Sequence, residues 1–169
     1  MEINHKIAFG GGCHWCTEAI YQSLKGVRLV EQGFVASKGE ESSFSEAVIV
    51  HFDPRYIDLE DLILIHLYTH KSTSDHSMRK KYRSAIYTFN LLDTERAIVA
   101  LQYHQAHFKK PLVTKVLPFG DFKISDKAFR NYYFNDPEKP FCETFIAPKL
   151  RLLLLKFGKH VDENKVLGQ

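Results

Sequence analysis

The sequence predicts an α/β fold, an α+β two-layer sandwich in which helices pack on one mixed β-sheet. Three observations carry this. Short β-rich runs alternate with segments of helical periodicity along the whole chain. Glycine, proline and aspartate punctuate those segments at close intervals. No repeat, low-complexity tract or linker divides the chain.

The elements follow in order. Residues 7–9 are a short buried strand that enters Gly10-Gly11-Gly12. Residues 14–24 form a helix with Ala19, Ile20 and Leu24 on its apolar face, closed by Gly26. Residues 27–35 are β-branched around Gly33 and read as a strand, and 37–43 are a polar turn. Residues 47–52 alternate as a strand paired with the preceding one, and Asp53-Pro54 stops it. Asp58 caps a helix reaching about residue 68. Residues 69–81 are polar and irregular, a length of loop that is usually functional. A strand is expected at 84–89, a long helix capped by Asp93 to about 108, and a strand at 112–117. Helices at 125–134 and 149–156 close the order, and the polar tail from about His160 is expected to fray.

Composition bounds the function. The 169 residues suit one domain with a core of about 6–157, and 44% hydrophobic content can fill it. A net charge of +3 is too small and dispersed to indicate nucleic acid, and the basic run 79–83 reads as a solvated loop. Three cysteines are too few for a disulfide-stapled scaffold. Residues 1–9 lack a signal peptide's apolar segment, and no run has the length of a membrane span. The reading is a soluble cytoplasmic protein whose cysteines serve chemistry.

Those cysteines include Cys13 and Cys16, in Gly12-Cys13-His14-Trp15-Cys16. At a helix N-terminus, unpaired N–H groups and the helix dipole favour a thiolate on Cys13. Zinc needs two further ligands and no second Cys-x-x-Cys exists, and plain packing does not account for three glycines beside a tryptophan. Redox chemistry remains, as disulfide exchange or as attack on an oxidised atom that leaves a sulfenic acid. The single Trp15 favours the second, because an aromatic wall can hold a small apolar group such as a methyl. Loss of a sulfoxide oxygen needs a proton, so a Glu, Tyr or Asp should converge on Cys13.

Three blocks in this order resemble the peptide methionine sulfoxide reductase A family. They are Gly12-Cys13-His14-Trp15-Cys16-Thr17-Glu18, Ser45-Glu46-Ala47-Val48 and Tyr82-Arg83-Ser84-Ala85-Ile86-Tyr87. Phe52-Asp53-Pro54 and Pro111-Leu112-Val113-Thr114 add to the match, which covers about residues 6–150. The resemblance implies a ferredoxin-like core and thiol-dependent reduction of methionine S-sulfoxide, free or protein-bound. It implies Cys13 as nucleophile, Trp15 as wall for the substrate methyl, Glu46 as acid on the sulfoxide oxygen and Tyr82 as second donor. Cys142 and Cys16 are the two candidates to resolve the sulfenic acid, with Cys142 placed slightly ahead. No metal or bound cofactor is implied. Thioredoxin or another dithiol supplies electrons, and neither nucleic acid nor membrane is a partner.

The chain departs from the family pattern in places. The family's Phe beside the nucleophile is His14, and its Gly-Tyr motif reads Gly33-Phe34. An Asp usual five residues before the hallmark Tyr is Ser77, with Asp75 the nearest carboxylate. His14, Phe34, Asp75 and Ser77 are therefore expected around the substrate, with His76, Ser77 or Asp75 replacing lost polar contacts. Other readings are a general thiol–disulfide oxidoreductase, or a domain that binds methionine sulfoxide with little turnover.

Overall fold

A computed structural model describes residues 5–166. Among them, β1 (His5–Gly10), β2 (Val27–Ala36), β3 (Ser45–Phe52), β4 (Ala85–Thr88), β5 (Lys115–Pro118) and β6 (Asp121–Ile124) form one sheet. Its order is β5-β4-β1-β3-β2-β6, antiparallel except for β4 with β5. The helices are α1 (His14–Gln22), α2 (Leu59–Thr69), α3 (Leu91–His104), α4 (Tyr132–Asn135), α5 (Ala147–Phe157) and α6 (Glu163–Val166). The run β1-α1-β2-β3-α2-β4 with spatial order 4-1-3-2 is the expected ferredoxin-like unit. The two remaining strands extend it at either edge.

Those edge strands force the sheet to curl. β5 and β6 occupy opposite edges, yet only Phe119 and Gly120 separate them in sequence. A flat six-stranded sheet would put its edges about 24 Å apart. Two intervening residues span only about 10 Å. The edges are therefore drawn together at one end. There the Phe119 N–H donates to the Thr88 carbonyl and the Gly120 N–H to Ala36, both at 2.9 Å.

Alternation along β1 sorts its side chains into two cores. Ile7 and Phe9 face the helices, with Ile20, Tyr21, Leu24, Val48, Val50, Leu62 and Ile86. Phe9 stacks on Tyr21 with ring centroids 4.8 Å apart, and the Tyr21 hydroxyl donates to the Leu62 carbonyl at 2.8 Å. Burying each such side chain contributes about 1.5–3 kcal/mol. Ala8 faces the other way, into the curl, with Val35, Ala47, Ile49, Ala85 and Tyr87. Three alanines there keep the concave side small enough for the strands to bend inward.

Several expectations need correction. β6 was not foreseen, and the helix expected at 125–134 is a 3₁₀ turn (Lys127–Phe129) followed by the short α4. Asn131 adopts a left-handed conformation (φ 57°) that interrupts a continuous helix. The cap of α3 is Asn90, whose side chain accepts from the Asp93 N–H, with Asp93 inside the first turn. Asp58 does stand at the N-cap of α2, but without a side-chain capping bond. Nor does the chain fray from His160 to Val166; the rest of the expected frayed tail lies outside the described residues. Val161 is buried and bridges Leu24, the Asp162 N–H donates to Ser23, and Lys165 Nζ donates to the carbonyls of Leu24 and Val27.

Gly33 permits the β2–β6 contact. A Cβ there would lie 2.2 Å from the Lys123 carbonyl oxygen and 2.8 Å from Phe122 Cε1. Overpacking of this kind costs about 1–3 kcal/mol. Gly33→Ala is expected to lower the urea midpoint accordingly with an unchanged m-value, checked by equilibrium denaturation. An unaltered midpoint would mean that β6 does not sit this closely on β2.

Candidate active site

Cys13 is the N-cap of α1. Its backbone is extended (φ −60°, ψ 125°) and its carbonyl accepts from the N–H groups of Cys16 and Thr17. That conformation turns its sulfur back over the first turn, where helix N–H groups lack partners. The Cys13 thiol is held below its ordinary value, first by a hydrogen bond from the Cys16 thiol and further by the N–H groups of Trp15 and Cys16. Burial and the nearby Glu46 charge oppose this. The Cys16 thiol is pushed far up, by donating to Cys13 and by burial. The pair thus favours negative charge on Cys13 beside a protonated, buried Cys16.

The turn before Cys13 is clamped by side chains from elsewhere. His66 on α2 donates Nε2–H to the Gly10 carbonyl at 2.7 Å. Burial pulls the His66 pKa down to about 4, so its ring stays neutral. Arg79 donates to the carbonyls of Gly11, Ser74 and Tyr82 at 2.8–2.9 Å and also to Lys71. His70 fills the space over Gly11, where a Cβ would come within 2.4 Å of its Cδ2. Its Nδ1–H donates to the His66 carbonyl, and its Nε2 accepts from the Ser84 hydroxyl at 2.8 Å. The segment that reads as irregular in the sequence is therefore an organised strap that fixes Tyr82.

A cleft of about 520 Å³ opens beside Cys13. Phe141, Phe145, Met78 and Tyr82 supply its apolar wall, and His70, His76, Ser77, Lys71 and Lys149 its polar rim. Ser77 is thus at the cleft, whereas Asp75 is exposed and lines a neighbouring polar cavity with Arg79, Arg83 and Glu41. Trp15 is not part of the cleft lining. Its indole stacks on Tyr132 (4.0 Å, 8°) and meets the cleft residue Phe141 edge-on at 5.2 Å.

Glu46, at the start of β3, is almost fully buried. Its Oε1 accepts from the His14 backbone N–H at 3.2 Å and lies 3.4 Å from His14 Nε2. Its Oε2 faces Lys81 Nζ at 3.7 Å. The Lys81 ammonium is held in its charged form, first by the Tyr82 hydroxyl and then by Glu46. Phe34, opposite Glu46 in the β2–β3 register, meets the His14 ring edge-on at 5.1 Å. Cys142 is fully buried in a π-helical turn (Cys142–Ile146) ahead of α5, and burial pushes its thiol up. It is close enough to Cys16 to influence that thiol. All three cysteines are free. Among the described residues no cluster of three His, Cys, Asp or Glu could hold a metal ion, and no helix is long and apolar enough to cross a membrane.

Residues 5–160 match the family model described as peptide methionine sulfoxide reductase. The chain belongs to this family. A peptide methionine sulfoxide reductase MsrA from Deinococcus radiodurans is 33% identical, over 89% of this chain and 81% of that one. Methionine sulfoxide reductase A of Corynebacterium diphtheriae shares the fold with a TM-score of 0.70 at 21% identity, over 79% and 76% of the two chains. So does Mxr1 from Saccharomyces cerevisiae in complex with Trx2, with a TM-score of 0.60 at 20% identity, over 73% and 81%.

For a reductase site, one residue escaped notice in the sequence. The buried Glu18 carboxylate accepts from the N–H groups of Asn131 and Tyr132 and from Gln32 Nε2, at 2.9–3.0 Å. It thereby seats Tyr132 against Trp15. The only hint was its place three residues after the nucleophile turn's tryptophan.

The thiolate on Cys13 depends on the Cys16 S–H. A hydrogen bond to a charged group is worth about 1.5–3 kcal/mol. Cys16→Ala should move the pH midpoint of Cys13 alkylation upward and slow iodoacetamide labelling at pH 7 about tenfold or more. Mass spectrometry of the labelled peptide reads this directly, and an unmoved midpoint would contradict the hydrogen bond.

Proposed function

We propose that this chain, as one domain over its 169 residues, reduces methionine S-sulfoxide to methionine, free or in oxidised proteins. The observation that carries the reading is a thiolate-favouring Cys13 in an aromatic cleft, with the buried Glu46 carboxyl and the Tyr82 hydroxyl nearby. The Cys13 thiolate attacks the sulfoxide sulfur while Glu46 and Tyr82 donate to its oxygen. The sulfur–oxygen bond breaks and the twice-protonated oxygen leaves as water. Water then attacks the Cys13 sulfur of the sulfur–sulfur adduct, methionine leaves with the bonding pair, a proton is released, and Cys13 is left as a sulfenic acid. Sulfoxide sulfur is reduced and Cys13 is oxidised by the same two electrons.

A second thiol then displaces water from Cys13 to form a disulfide. The hydrogen bond between Cys16 and Cys13 supports Cys16 as the first partner. Cys142, beside Cys16 in the core, would take over the disulfide in turn and free Cys13. Phe141 holds the substrate methyl, with Trp15 acting from behind it. Phe34 shapes the far side of Glu46 and Ser77 contacts the substrate backbone, while Asp75 acts only through Arg79. A thioredoxin-like dithiol reopens the disulfide, in keeping with the Mxr1 structure solved with Trx2. The reaction runs without metal or organic cofactor, in the cytoplasm.

With a blocked methionine S-sulfoxide and dithiothreitol, the wild type should turn over and Cys13→Ser should fall to background. Glu46→Gln should lose about 100-fold or more in kcat, the usual size of a general-acid contribution. Equal background rates for wild type and Cys13→Ser would refute the reading. After one equivalent of substrate without reductant, peptide mapping should give Cys13–Cys16 first and Cys16–Cys142 later. A first disulfide between Cys13 and Cys142 would reverse that order.

A further inference from the structure

His14 stands where the family pattern has a phenylalanine, and it is buried against the carboxyl assigned as acid. Its Nδ1 lies 2.7 Å from the Gly33 carbonyl oxygen. A carbonyl can only accept, so Nδ1 carries a hydrogen whatever the charge of the ring. The tautomer is therefore fixed, and Nε2 is the one ring atom that can gain or lose a proton. That atom faces Glu46 Oε1 at 3.4 Å. The same oxygen is anchored by the His14 backbone N–H, so the two groups cannot easily turn away from each other.

We propose that His14 is a positioning residue that acts through Glu46, the two side chains holding one exchangeable proton between Nε2 and Oε1 which Glu46 delivers to the substrate oxygen. This rests on the reductase reading above. When Glu46 gives its proton to the sulfoxide oxygen, it is left as a carboxylate. The pair is recharged by one proton from solvent before the next turnover, and no other reactant is consumed. Two interacting groups titrate as a unit, so the pair retains its proton to higher pH than a carboxyl without the imidazole.

The surroundings suit this. Burial pulls the His14 ring toward its neutral form, while Glu46 and the Gly33 carbonyl act against that and Lys81 with it. The titratable groups facing the pair are Cys13, Lys81 and, through Lys81, Tyr82. Of these, Cys13 sets the rise of rate with pH, because the thiolate attacks. The pair sets the fall at higher pH, because its proton is then gone.

The test is the pH profile of a single turnover, read as methionine formed from N-acetyl methionine S-sulfoxide amide before any disulfide is reduced. His14→Phe keeps the backbone N–H to Glu46 and an aromatic edge against Phe34, and replaces the imidazole with a slightly larger ring that has no nitrogens. Its rate is expected within a few-fold of wild type at low pH. Its high-pH fall should come at least one pH unit earlier, so that the ratio of rates at pH 8 and pH 6 drops about tenfold. His14→Gln, which stays polar but cannot hold a proton, should show the same earlier fall. A wild type without a high-pH fall, or variants whose fall does not move, would overturn the proposal. So would an equal loss of rate at every pH, which would reduce His14 to packing. Nitrogen NMR of the wild-type ring gives an independent reading. A hydrogen on Nε2 with bare Nδ1 would overturn the proposal even if turnover is normal. Absence of any turnover would instead strike the reductase reading itself.

Discussion

The site depends on how the backbone between β1 and α1 is held. Gly10, Gly11 and Gly12 give the chain a sharp exit from the sheet, but glycines alone would leave it loose. Its carbonyls are instead bound from two separate directions, by His66 of α2 on Gly10 and by Arg79 of the strap on Gly11. Gly10 and Gly11 are themselves buried, and an unpaired carbonyl there would cost about 1–3 kcal/mol. The turn therefore has one satisfied conformation. With it fixed, the Cys13 sulfur lies over the first N–H groups of α1, and the same guanidinium that holds Gly11 holds Tyr82. The backbones that carry the nucleophile and the tyrosine are set by one clamp.

Periodicity made the strands and helices readable, and the family resemblance implied their ferredoxin-like arrangement. Ile7 and Phe9 on one side and Ala8 on the other, the apolar face of α1, and the long apolar stretch of α2 all follow from local pattern. What escaped was determined by distant partners. β6 is four residues long and exists because it lies on β2 across Gly33. The 125–134 segment is bent by Asn131 and seated by Glu18, a carboxylate more than a hundred residues away. The tail stays down because Lys165 finds the carbonyls at the end of α1. Neither Arg79 nor Glu18 bears any mark in the sequence of the carbonyls and N–H groups it will serve.

At the site the readable part was chemical type, and the unreadable part was assignment of neighbours. A cysteine at a helix start foretells an easily deprotonated thiol, and the Cys13 thiol is lowered; that the Cys16 thiol donates to it could not be read. That Cys142 would be wholly buried against the same helix could not be read, since it depends on a π-helical turn before α5. Trp15 illustrates the same limit. Its type suggests a wall, and the partners of the indole, Tyr132 on one face and the cleft residue Phe141 edge-on, could not be read from the sequence.

The two departures nearest Glu46 belong to one another. Relative to the family pattern, position 34 lacks a hydroxyl and position 14 gains an imidazole. The rings of Phe34 and His14 touch edge-on at 5.1 Å, so the polar atom has moved from one ring to its neighbour within a single contact. A buried imidazole without partners would be costly. Here Nδ1 is satisfied by Gly33, the residue whose missing side chain also admits β6. The carbonyl of Gly33 therefore does for His14 what a protein interior must do for any polar guest. Nε2 is left to the carboxyl of Glu46, 3.4 Å away. A sheet curled tightly enough to need glycine at 33 thus brings the carbonyl that orients the imidazole toward the acid.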